Sequence, residues 1–117
     1  MQSHGHAKAD LRHWYLHHAA LEKLRLHPEL LPLVLALLDR WLQQEELRPS
    51  RRWLEEWREM LTAWPHERMR TTVLDEAQGQ MLRQCSPLGP VLTTLERWAA
   101  LREVDSPAAP HGIPATP

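Results

Sequence analysis

Between Ser50 and Trp64 the chain reads SRRWLEEWREMLTAW, and its apolar positions recur with helical period. Trp53, Trp57, Met60, Leu61 and Trp64 fall on one stripe, while Arg51, Arg52, Glu55, Glu56, Arg58 and Glu59 occupy the other faces. That is the pattern of an amphipathic helix, and three indoles on one stripe must be buried against this chain or against another protein.

The same reading carries along the rest of the chain. Residues 1–9 hold little apolar material and are expected as a flexible arm. A helix is predicted from Asp10, which can cap it, with Leu11, Trp14, Leu21 and Leu24 on one side. His27 stands before Pro28 and is thereby pushed out of helical geometry, which ends that helix. Pro28 suits the first turn of a second helix reaching about Glu46. Leu30, Val34, Leu37, Leu38, Trp41 and Leu42 share a broad face of it, and Leu31, Leu33 and Leu35 widen that face almost all round. Such a helix is expected at the centre of a bundle. Ser50 is positioned to cap the tryptophan helix, and Trp64-Pro65 ends it and opens a short helix through Met69, Val73 and Leu74.

Asp75 is read as the cap of a helix over 76–85 with Met81, Leu82 and Cys85 inward; Gly79 weakens it or permits close approach. Ser86-Pro87-Leu88-Gly89-Pro90 is a rigid turn. Thr93 to Glu96 forms a capping box opening the last helix, which is expected to pack Leu95, Trp98, Ala99 and Leu101 and end near Val104. Residues 105–117 alternate Pro, Ala, Gly and Thr and are expected to be disordered. The fold class is therefore all-α, a bundle of five to six helices over residues 10–104 with disordered ends.

Composition sharpens this. Phe is absent and Tyr occurs once, so a β-sheet would lack its usual material. The 14 basic and 15 acidic residues nearly cancel, which disfavours the electrostatic footprint of non-specific nucleic-acid binding. A single cysteine, Cys85, fits a reducing compartment, and no leader pattern opens the chain. The longest apolar run, Leu30 to Leu38, is interrupted by Pro32 and too short for a bilayer. A cytoplasmic protein without a membrane partner is expected.

Candidate chemistry is sparse. His13 and His17 stand four apart, a spacing that can share a metal, but no third ligand completes the set within the helix, and a polar face with titrating histidines is the preferred reading. Cys85 lies at a helix end, where its thiolate is disfavoured, and only His66 could partner it in mid-chain. No phosphate-cradling glycine loop is present. A helix-turn-helix placed over 71–92 puts Asp75 where a small residue belongs and Pro87 inside the recognition helix. An enzyme is not expected and no cofactor is implied; a DNA-associated regulator stands as the alternative, and metal binding through His13 and His17 as the second.

A protein-interaction role remains, because Trp and Arg are the residues enriched at interface hot spots. The chain also shows Leu82-Arg83-Gln84-Cys85-Ser86-Pro87-Leu88, then Val91-Leu92-Thr93 and Glu96-Arg97-Trp98, with HWYLHHAALEKL near the start and WLEEW in the middle. In these segments it resembles small bacterial helical domains that form the partner-binding part of antitoxin-type regulators. The resemblance implies a partner protein, such as a toxin encoded by an adjacent gene, and no catalytic residues. This chain has no room for the DNA-binding module that precedes such domains. Trp53, Trp57, Arg58, Met60, Trp64, Arg83, Ser86, Pro87 and Leu88 are the residues expected at the partner interface, with a homodimer as another use of the same surface. Whether the tryptophan stripe is core or interface stays open at this point.

Overall fold

Prolines and caps set most of the boundaries. In the computed structural model, which describes residues 4–105 with side chains from Ala9 onward, six α-helices and three short 3-10 segments follow in order, with no strand among the described residues. Helix α1 runs His4–Leu26, α2 Leu31–Leu42, α3 Arg51–Ala63, α4 His66–Leu74, α5 Gly79–Gln84 and α6 Thr94–Val104. The 3-10 segments are Pro28–Leu30, Glu45–Ser50 and Gly89–Val91. The protein is all-α, as the composition and periodicity require. No helix among the described residues is long and apolar enough to cross a membrane.

Several boundaries differ from those expected. Helix α1 begins at His4, so residues 4–9 are helical and Asp10 lies within the helix. Its carboxylate receives Arg83 Nη2 at 3.2 Å and caps nothing. Residues 1–3 and 106–117, expected as parts of the arm and the tail, lie outside the described residues. Helix α2 stops at Leu42, and Pro49 sits in a separate 3-10 segment. Ser50 is the residue before α3, although its side chain makes no capping bond. Asp75 does bind backbone amides, those of Ala77 and Gln78, but they form a turn and α5 starts only at Gly79.

The centre of the fold is α1, not α2. Helices α4, α5 and α6 all pack against α1, whereas α2 lies chiefly on α3. Trp14, His17, Leu21 and Leu24 are buried along α1 at alternating steps of three and four, the seam of a helix that meets partners along its length. Helix α2 buries Val34 and Leu38 fully but leaves Leu33 50% exposed. Its all-round leucines are thus half core and half surface. At 23 residues α1 is about twice as long as α2, which lets α4, α5 and α6 all pack along it.

Candidate functional site

The tryptophan stripe is core. Trp57 is completely buried and donates its indole N–H to the carbonyl of Leu82, the next-to-last but one residue of α5, at 2.8 Å. Trp14 does the same for Leu74, the last residue of α4, at 2.9 Å. Carbonyls at a helix C-terminus are short of intrahelical partners; the Trp14 indole serves that of Leu74, the Trp57 indole shares the Leu82 carbonyl with the Cys85 amide at 3.2 Å, and the rings fill the interior. Met60, Pro87 and Leu88 are also buried, and Arg83 is only 3% exposed. These five expected interface residues (Trp57, Met60, Arg83, Pro87 and Leu88) therefore lie inside the fold and not on its outer surface. Trp53 and Trp64 are half-buried against the core, the first beneath Arg52 at 4.7 Å and the second beneath Arg68 at 3.7 Å. Arg58 is exposed and paired with Asp39 across to α2. Ser86 is half-buried, its Oγ accepting the Leu88 amide N–H at 3.1 Å.

The surface holds what sequence reading placed inside. Helix α6 turns Ala100 toward α1, with Arg97, Leu101 and Val104 half-buried beside it. Leu95, Trp98, Ala99 and Arg102 are exposed, Leu95 at 81% and Trp98 at 65%. These four positions follow the i, i+3, i+4, i+7 spacing of one helix face. Met81 is likewise exposed rather than inward. The orientation of α6 comes from polar anchors. Glu96 accepts Lys23 Nζ at 2.6 Å and the Thr93 amide at 2.8 Å, and Arg97 Nη2 reaches the Gly89 carbonyl at 3.0 Å. With those side chains held, Leu95 and Trp98 must face away.

A cleft of about 200 Å³ lies between α1, the end of α5 and the turn leading to α6. His13, His17, Arg83, Ser86 and Arg97 supply its polar lining. His17 takes the seam position three residues after Trp14 and four before Leu21, a spacing that could have marked it as buried. It is 8% exposed, and burial pushes its pKa down to about 4. Its Nδ1 lies 2.6 Å from the His13 carbonyl oxygen, and its Nε2 has no protein partner. The expected pair of His13 and His17 is thus turned to the fold: His17 binds the backbone of His13, and no group of three His, Cys, Asp or Glu able to hold a metal occurs among the described residues. Arg83 Nη1 donates to the carbonyls of Val73 at 2.8 Å and Asp75 at 2.9 Å, closing the end of α4. Its Nε is buried without a partner. Nothing in the sequence pattern distinguishes Arg83 from the solvated arginines. Cys85 is half-buried against the core, on the side of α5 that packs.

Comparison with known proteins gives no match to a family model, to a curated protein or to a solved structure.

Proposed function

We propose that this chain is a non-catalytic, intracellular protein-interaction module that binds and restrains a partner protein through the outer face of α6, as an antitoxin-like or accessory subunit. The observation that carries this reading is the exposure of Leu95 and Trp98 one turn apart on a well-capped helix. Of the six tryptophans, Trp14 and Trp57 lie in the core and Trp41, Trp53 and Trp64 pack against it, whereas Trp98 stands in solvent. An exposed tryptophan beside an exposed leucine forms the kind of apolar anchor that dominates interfaces, and the i, i+3, i+4, i+7 spacing suits a helix laid against an apolar surface. Arg102 ends the stripe with a cation, so the matching surface is apolar with a carboxylate at one edge. The antitoxin-like role rests further on the motif from Leu82 to Trp98, whose Ser86-Pro87-Leu88 turn leads directly into this helix.

The test is calorimetric titration of the purified chain with the product of the adjacent gene. Trp98→Ala should weaken binding by about 2 kcal/mol, near thirtyfold, as expected for a hot-spot tryptophan. Because Trp98 is outside the core, its thermal midpoint should stay close to that of the unaltered chain. Equal affinity of the variant would sink the proposal. So would a concentration-dependent homodimer that Trp98→Ala dissolves, since the stripe would then serve the chain itself.

A further inference from the structure

The helices are not held equally. Helix α3 buries four of its thirteen residues and α4 three of its nine, among them Trp57, Met60, Met69 and Leu74. Helix α6 lies along α1, yet it buries one residue of eleven, and that residue is Ala100. Leu101 and Val104 are half-buried beside it, and six others, Leu95 and Trp98 among them, are exposed. Stabilisation by apolar burial follows the area removed from water, of which an alanine brings little. The first turn of α6 is tied to α1 by the ion pair of Glu96 with Lys23, whose side chains are 43% and 21% exposed. A pair so open to solvent holds weakly and is screened by salt. The bond from Arg97 to the Gly89 carbonyl is exposed as well.

The chain before α6 is built differently. Leu88 and Val91 are 2% and 1% exposed, so the turn that carries them stays with the core. Leu92 and Thr93 then run extended into the helix, the first half-buried and the second exposed. Apolar residues stand on both faces of α6, with Leu95, Trp98 and Ala99 outside and Ala100, Leu101 and Val104 toward α1. A helix that only lay on α1 would need them on one face. We propose that α6 is a salt-sensitive latch. It leaves α1 as a unit, hinging at Leu92 and Thr93 while α1 to α5 stay folded, and a partner captures the released helix by both apolar faces. The capture rests on α6 being the partner-binding element; the release does not.

Release is tested by amide hydrogen exchange of the whole chain without partner, in about 0.05 and 0.5 M sodium chloride, beside Lys23→Gln. Once off α1, an eleven-residue helix is too short to persist in water. The amides of residues 98–104 should therefore exchange together, about tenfold or more faster than those of Leu21, Leu24 and Trp57. Lys23→Gln, a surface change, should speed that group by about two- to fivefold in low salt and leave α1 to α5 unaltered. High salt should do the same to the unaltered chain. Three results would overturn the release: protection as high in α6 as at Leu21, a gradual loss running back from Val104 as in simple fraying, or rates indifferent to both Lys23→Gln and salt. Capture is tested by titration with the product of the adjacent gene, which Lys23→Gln should bind about two- to fivefold more tightly because less opening is required. Equal or weaker binding would overturn it. Unweakened binding by Trp98→Ala would sink the partner reading alone and leave the exchange result standing, so the two fail separately.

Discussion

At Gly79 a missing side chain makes room for the guanidinium of Arg83. A Cβ built there would overlap the Val73 carbonyl oxygen and stand 2.5 Å from Arg83 Nη1, the atom that closes the end of α4. Intrinsic propensity argues the other way, since alanine is favoured over glycine in a helix by about 1 kcal/mol. The steric term wins, because the clashing atoms are the Val73 carbonyl group, which is backbone, and a buried guanidinium nitrogen. Gly79→Ala should lower stability by about 1–3 kcal/mol in urea unfolding, the usual cost of overpacking. Unchanged or raised stability would mean that α4 and α5 can separate freely. Sequence reading left two meanings for this glycine, a weak helix or a close approach, and the contact with α4 decides for the second. Arg83 itself could not be read from pattern: twelve arginines are spread along the chain, and only tertiary contact shows which one is buried.

Among the helices, local signals were legible and rotations were not. The Thr93–Glu96 capping box forms as its spacing requires, with Thr93 Oγ1 accepting the Glu96 amide at 3.2 Å and the Glu96 side chain returning to the Thr93 amide. All its partners lie within four residues, so sequence contains them. Which face of α6 is buried depends instead on Lys23, 73 residues away, and the apolar residues of α6 occupy both faces. Leu95 and Trp98 were therefore assigned inward, although the ion pair with α1 turns them out. The same limit applies to α2, whose leucines could not reveal that a different helix is central. The cap also positions the exposed stripe, because it fixes where α6 starts. Thr93→Ala should cost about 1 kcal/mol of stability, measured by urea unfolding. A loss below the error of that measurement would show that the ion pair between Lys23 and Glu96 holds the helix start unaided.

For the whole molecule, the tightest coupling between environment and fold runs through histidine. His17 sits in the α1 seam against Trp57, 6.3 Å between ring centres, with Arg83 near enough to disfavour its protonated form further. Its pKa falls from 6.5 to about 4 on folding, so the unfolded chain binds the proton more tightly. Stability from this group is complete above pH 6.5, declines as the pH falls toward 4, and changes no further below it; the total is about 3 kcal/mol. Burial lowers His18 and His66 as well, which adds slope of the same sign. Glu96 acts in a lower window. The Lys23 hydrogen bond brings its pKa from 4.5 to about 2, so its contribution is present above 4.5 and is lost as the pH falls toward 2. Stability should thus fall over two pH windows, mainly in the upper one through the core of α1, with a smaller, solvent-screened loss in the lower one through its link to α6. Stability measured by urea unfolding at intervals from pH 7.5 to 4 tests the upper window. His17→Gln removes the titrating group and should flatten most of that slope, whatever its effect on stability at neutral pH. If the variant keeps the full slope, the proton uptake that accompanies unfolding lies elsewhere, and His17 is not the group through which acid reaches the core.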